Sequence, residues 1–579
     1  MKAAAFPEKS SSWPAASILA VLSAIAGSVL VTTSLQSSNT RILTSWHGFL
    51  HTAIANRFPG PFGTPENPFF AGEPLPYYWF HHYVASAIGV LMGVDSIHAF
   101  QILTISGLVL LWVGAVAIGV RHFGSTNVGL LIGFLVLAGV NPLGPVVAVG
   151  KNLIQGQQLI DHPQFSEDSD SGFVTNRQSD ALMTQPLLGG LYVSGDWRRG
   201  QNITWYLDNS SRGIAVALIL PLLYGFIGKG WSWGRVLLVF ISAAAMTASS
   251  PLIGLAAVGS ISGGAFVAAL WSRFRSQGTR ASIFAPLGLA AAASVGAVLA
   301  SPTYYQLFLV GSSAAEAPSV KMMIAKALAL VFNVIVLLPL AIWAIVRAKD
   351  ELRYSCLILV IAACSLLAVV PFVRLPDGTE HNLANTAQTL LVVPAVAALA
   401  AKRRPRWIYA VLVGLFVPMT VASLVSYVGR PALPIAFEHG TLHRTSGEGL
   451  EQLYEWIRGA TSDRAVFITD PGSPAKMSGN VAELPAFTKR TLFVDQPTYM
   501  TTPHKDFERR LAMANRLVKG SAMQAADASY LEGLKRPVYL VTYHADQTEL
   551  QAQLTQMYGA PLFHKSFIAV YELTGKNGK

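Results

Sequence analysis

Four histidines and two glutamates gather within about forty residues near the start of this chain. They fall in Ser45-Trp46-His47-Gly48-Phe49-Leu50-His51 and in Thr64-Pro65-Glu66-Asn67-Pro68-Phe69-Phe70-Ala71-Gly72-Glu73-Pro74-Leu75-Pro76-Tyr77-Tyr78-Trp79-Phe80-His81-His82. Carboxylates and imidazoles are the side chains that most often move a proton in a transfer reaction. Glu73, Glu66 and His47 are therefore the candidate general bases, and His51, His81 and His82 the candidate substrate contacts. His47 and His51 are four apart and share a face if Ser45–Arg57 is helical. The competing reading is structural: aromatics and histidines anchor the loop at an interface, and Pro and Gly make its turns. The four histidines also admit a metal, although the His-Glu-x-x-His spacing of a zinc helix is missing. A divalent cation stays open, and the residues mark no certain cofactor.

A second set is cationic. Lys151, Arg198, Arg199, Arg212 and Arg374 lie in polar segments beside apolar ones. Positive charge there suits a phosphate group, and Arg grips one with two parallel hydrogen bonds. Arg374 opens the run Arg374-Leu375-Pro376-Asp377-Gly378-Thr379-Glu380-His381-Asn382, where Asp377, Glu380 and His381 are further candidate substrate contacts. Ordinary loop charges and a capped turn are the bland alternatives.

The elements that must position these residues are membrane spans. The chain is 52% hydrophobic and only 13% charged, against about 25% charged in an average soluble domain. About eleven stretches are long and apolar enough to cross a bilayer, near 16–35, 97–120, 127–148, 212–228, 235–248, 250–271, 283–300, 322–346, 354–371, 386–401 and 407–427. The pair meeting at Ser249-Ser250-Pro251 reads as two short helices or as one broken one. The net charge of +11 does not mark a nucleic-acid face. Its basic residues sit at helix ends, the pattern that sets membrane orientation. Placing those clusters inside puts the N-terminus in the cytoplasm and the C-terminus outside. Tyr77–Gly93 is then a helix lying in the outer interface, because a full span there would invert every later loop. Ser17–Leu35 reads as an uncleaved first span. Cys356 and Cys364, eight residues apart on one helix, stand about 12 Å apart, too far for a disulfide.

From about residue 428 the composition changes. Amphipathic helical stretches (Gly449–Arg458, Lys505–Val518, Ala526–Leu534, Gln547–Met557) alternate with strand-like runs (Ala465–Thr469, Thr491–Val494, Val538–Thr542, Phe567–Leu573). The alternation predicts a small α/β domain. The expected organisation is a transmembrane part, 1–427, with large outer loops 36–96 and 149–211, and a soluble extracytoplasmic accessory part, 428–579.

This arrangement resembles the GT-C superfamily of membrane glycosyltransferases, which includes protein O-mannosyltransferases and lipid A aminoarabinose transferases. The likeness rests on the first span, the large outer loop with its Glu66–Tyr78 stretch, the many spans, the α/β tail and the Arg374–Asn382 segment. It implies an α-helical polytopic membrane protein of GT-C type. The implied activity is transfer of a sugar from a polyprenyl-phosphate donor to a glycan, lipid or protein acceptor on the outer face, in a bacterial inner (plasma) membrane. The superfamily usually carries an Asp soon after the first span; here no carboxylate lies between Thr32 and Pro65. Either His47 takes the base role, or Glu66 or Glu73 folds back into it, or the chain departs from the standard transferase. A transporter or flippase of a lipid-linked glycan is the rival class, with a polysaccharide polymerase or ligase as the other. The scarcity of ionisable residues inside the spans favours the enzyme.

Overall fold

In the computed structural model the first described helix, α1, is Trp46–Ala55. The structure describes residues 46–58, 65–75, 77–138, 202–207, 210–227, 231–274, 284–300, 319–320, 334–348, 350–375, 379–400, 444–470, 476–477, 481–495, 504–565 and 567–574, with positions 330, 414 and 417. The expected spans near 16–35 and 407–427 lie outside them, as do Lys151, Arg198, Arg199 and Asp377.

Helix α2, Phe80–Met92, has 13 residues. At about 1.5 Å per residue it reaches roughly 20 Å, short of a bilayer's ~30 Å apolar core. It stops at Gly93, whose φ of 65° is the left-handed cap that favours glycine. Asp95 then starts α3, Ser96–Phe123, by accepting a hydrogen bond from His98 N. The bundle continues with α4 (Thr126–Ala138), α5 (Asn202–Leu207), α6 (Ser211–Phe226), α7 (Trp233–Ser249), α8 (Pro251–Phe274), α9 (Phe284–Leu299), α10 (Leu337–Arg347), α11 (Asp350–Val369) and α12 (His381–Ala400). Among the described residues four helices are long and apolar enough to cross a membrane: Ser96–Phe123, Pro251–Ser272, Leu352–Val369 and His381–Ala400. Between α7 and α8 only the extended Ser250 intervenes, so the ambiguous pair at Ser249-Ser250-Pro251 is two helices. Apolar side chains such as Val113, Leu237 and Phe266 point outward, as a lipid-facing surface allows. Cys356 and Cys364 are free.

The turn from α3 to α4 depends on small residues. A side chain at Gly129 would come within 2.5 Å of the Val116 Cα. Gly129→Val should therefore separate the two helices. Overpacking of this kind costs about 1–3 kcal/mol, and the expected fall in thermal midpoint is readable by differential scanning fluorimetry.

The C-terminal part is built from α13 (Arg444–Ala460), α14 (Leu484–Thr488), α15 (Phe507–Val518), α16 (Ala525–Gly533) and α17 (Thr548–Tyr558). The strands, in chain order, are β1 (Ser319–Val320) and β2 (Val373–Arg374), which pair with each other outside this part, and then β3 (Val466–Ile468), β4 (Lys476–Met477), β5 (Val481–Ala482), β6 (Thr491–Leu492), β7 (Val538–Thr542), β8 (Phe563–Lys565) and β9 (Ile568–Thr574) within it. The five-stranded sheet has the order β6-β3-β7-β9-β8. β3 runs parallel to both β6 and β7, and β9 is antiparallel to β7 and β8. The predicted strands and helices of the tail all lie at or near these positions.

The core of this part is not its own alone. Leu50 and Ile54 of α1, with Phe69 and Leu75 of the first loop, share one apolar cluster with Leu453, Ile457, Phe467 and Val541. The expected boundary at 427/428 lies outside the described residues, and the apolar packing joins the first loop to the C-terminal part. Orientation is testable with single cysteines in a protein lacking Cys356 and Cys364. Exposed Ser529→Cys should react with an impermeant maleimide in intact cells, and Thr126→Cys only after permeabilisation; the reverse would invert the orientation.

Candidate functional site

Three segments distant in sequence meet where α3, α6 and α12 begin. Helix α1 brings His51, and the first turn of α2 brings His81 and His82. The three rings surround Phe100 of α3, with centroids 6.0, 5.3 and 5.9 Å from it. His51 Nδ1 and His82 Nε2 are 2.7 Å apart, so one donates to the other across a single shared proton. His51 and His82 are fully buried. Burial first, then neighbouring His81 and the Arg212 charge, hold His51 well below the ordinary histidine range. His82 is lowered in the same way by burial and by His51 and His81. Both rings are therefore neutral at neutral pH.

Helix α6 supplies the cation. Ser210 caps it by accepting from Arg212 N at 3.3 Å, which places Arg212 in the first turn. Its Nη1 lies 3.3 Å from His381 Nε2 at the start of α12. Neighbouring Ser211 donates to the Tyr78 hydroxyl at 3.2 Å, and Tyr77 donates to the same oxygen at 2.7 Å. Arg212 and His381 are partly exposed, while the histidine pair behind them is sealed. Two helix N-termini, with their positive dipole ends, thus converge beside a guanidinium. That combination attracts an anion.

The late loop folds back on the same helix start: buried Glu380 accepts from Leu375 N at 3.1 Å. Arg374 lies on β2, paired with Ser319 of β1, and its side chain is exposed. His47 lies one turn before His51 on α1, and its side chain is outside the described part.

The carboxylates expected as bases sit elsewhere. Glu66 forms ion pairs with both Arg57 and Arg536. Its oxygens also accept from Gly72 N at 2.8 Å and Thr491 Oγ1 at 3.3 Å. Burial acts to raise its pKa, but Arg57, the Gly72 N–H and Arg536 together outweigh it and lower the value. A carboxylate so held accepts a proton poorly. Its contribution to stability is complete above the ordinary Glu range near pH 4.5 and disappears as pH falls through the lowered value. Glu73 lies 3.9 Å from His504, and this ring stacks on Phe70. Glu66 is thus held between Arg57, just after α1, and Arg536 of the C-terminal part, and Glu73 lies beside His504 of that part. Among the described residues no three His, Cys, Asp or Glu side chains are grouped to hold a metal ion. The His51–His82 contact is too short to admit one between the rings.

Residues 47–217, less than a third of the chain, match a family described as an uncharacterized membrane protein, DUF2298. No curated protein sequence matches the chain. The structure is similar to that of ArnT from Cupriavidus metallidurans bound to undecaprenyl phosphate, at 12% identity over 98% of this chain and 99% of that one, with a TM-score of 0.49. It is also similar to the arabinofuranosyltransferase AftD from Mycobacteria (13% identity, 98% of this chain, 40% of that one, TM-score 0.44). A third similar structure is the archaeal oligosaccharyltransferase AglB from Archaeoglobus fulgidus in complex with an inhibitory peptide and a dolichol-phosphate (12%, 93% and 71%, TM-score 0.35). The chain is an integral membrane protein, mostly helical, with a small C-terminal α/β part.

Proposed function

We propose that the protein is a membrane glycosyltransferase that moves a sugar from a polyprenyl-phosphate donor to an acceptor on the outer face. The observation that carries this reading is Arg212 beside His381, where two helix N-termini meet in front of a neutral, buried histidine pair. Arg212 and the helix ends hold the donor phosphate and stabilise the charge it gains on leaving. The sugar C1–O bond to phosphate breaks as the acceptor oxygen bonds to C1. Because the His51–His82 pair is sealed, the acceptor's proton passes to it through His47, one turn along α1. Arg374, on the ladder above the late loop, is a second cation for the approaching phosphate. Lys151, Arg198, Arg199 and Asp377 keep the substrate-binding roles expected of them. The protein would act in a bacterial inner membrane with residues 1–427 as its membrane part and 428–579 outside.

Lipid-phosphate recognition is testable without knowing the sugar. Undecaprenyl phosphate added to protein in nanodiscs should raise the thermal midpoint, because a ligand that binds only the folded state stabilises it. Undecaprenol, lacking the phosphate, should not. Equal shifts from both lipids would remove the anion site from the proposal.

A further inference from the structure

We infer that the C-terminal α/β part is the platform that positions the first loop, and that Glu66 is its ionic lock rather than a group that meets a reacting atom. The site it serves is the one proposed above, so only the activity arm of the test below rests on that reading.

The loop docks as an added strand would. β6 is an edge of the five-stranded sheet, and an unpaired edge is a ready template for another segment. Here Leu492 N donates to Pro68 O at 2.9 Å, Ala71 N to Leu492 O at 2.9 Å and Asp495 N to Phe69 O at 3.0 Å. The loop is held in shape for this by its own bonds, Asn67 N to Glu73 O at 2.8 Å and Leu75 N to Pro65 O at 2.9 Å. Gly72, with φ of 83°, makes the turn that other residues would adopt with strain. Arg510 fastens the tip: its Nη1 donates to Ala71 O at 2.7 Å and to Phe493 O at 3.0 Å, and its guanidinium lies 4.1 Å from the Phe70 ring centroid.

Glu66 closes the far side of this junction. Through Arg536 it is tied to the start of β7, and through Arg57 to the residues that follow α1. Asn56 adds a neutral link: its Nδ2 donates to Ala486 O of α14 at 2.8 Å, and its Oδ1 accepts from Ser96 at the start of α3 at 2.7 Å. Helix α1 therefore has two masters. Leu50 and Ile54 are fixed in the C-terminal core, while the intervening His51 reaches His82 in the membrane part. Any rotation or shift of α1 on the platform moves the His51 ring relative to its partner. At contact distances, displacements of about 1 Å are enough to impair a positioned proton acceptor.

Hydrogen exchange read by mass spectrometry tests this on the full chain in nanodiscs, using Glu66→Gln, Arg536→Ala and the double variant. The expected result is exchange at least about tenfold faster in peptides 65–75 and 46–55, with peptides from α12 unchanged. The double variant should be no worse than the more affected single one, because both remove the same link. Unchanged exchange in 46–55 would overturn the positioning role whether or not the protein transfers sugar. In the activity arm, kcat should fall in both single variants with little change in donor KM. A fall confined to Glu66→Gln, with exchange as in wild type, would show that Glu66 acts in the chemistry and would sink the inference. If wild-type protein transfers no sugar, the glycosyltransferase reading fails, and the platform is judged on the exchange of 46–55.

Discussion

Arg212→Ala is expected to lower kcat/KM for a polyprenyl-phosphate donor by about 100-fold or more, the usual effect of removing one group that stabilises developing oxyanion charge. Arg212→Lys should recover only part of this. An ammonium supplies charge but not the planar two-point grip, and it would not keep the approach to His381. The loss should include a weaker response to lipid phosphate in the thermal-shift experiment, since the same group binds the ground state. Arg374→Ala should cost less, because its side chain is exposed on the β1–β2 ladder, where water screens it. Steady-state kinetics over a range of donor concentrations separates the two. An Arg212→Ala protein with wild-type kinetics would show that the guanidinium does not meet the leaving group.

The second large effect is expected at the histidine pair. His82→Gln and His51→Gln keep a hydrogen-bonding side chain but cannot hold the proton. Each should lower turnover by about 100-fold, the scale of a positioned general base, with a thermal midpoint near wild type. The pH profile carries the sign. Both imidazoles have lowered pKa values, so the neutral, proton-accepting form persists as pH falls below 6.5. The acid limb of the wild-type rate should therefore lie below the ordinary histidine range. An acid limb at or above pH 6.5 would point to an unperturbed histidine such as one at the exposed rim.

Much of this site was legible from residue type alone. A cluster of His in a loop beside the membrane, an Arg at the start of a span and a Glu-His pair opening another are costly placements in apolar surroundings. The structure brings His51, His81, His82, Arg212 and His381 together. The apolar runs of the tail placed four of the five strands of its sheet to within about two residues, because strands such as Val538–Thr542 are buried throughout, while the short, largely exposed edge strand β8 carried no such signal. What sequence could not show was which charges neutralise which. Glu66 and Arg536 are 470 residues apart, and no local pattern announces that they meet. The same holds for Leu50 and Ile54, whose apolar character suits a lipid interface as well as the α/β core they enter. Glu66 and Glu73 were attractive bases because carboxylates are scarce in this region. Spacing does not disclose their partners, which are Arg57 and Arg536 for Glu66 and His504 for Glu73.

The most direct test is transfer itself. Wild-type protein in nanodiscs should be incubated with a panel of radiolabelled polyprenyl-phosphate sugars, with and without a cell-envelope acceptor extract. Released lipid phosphate and labelled product are then followed together. Turnover of at least one lipid-linked sugar, reduced about 100-fold by Arg212→Ala and by His82→Gln, is the predicted result. Movement of intact lipid-linked sugar across proteoliposomes, with the sugar–phosphate bond unbroken in every case, would contradict it.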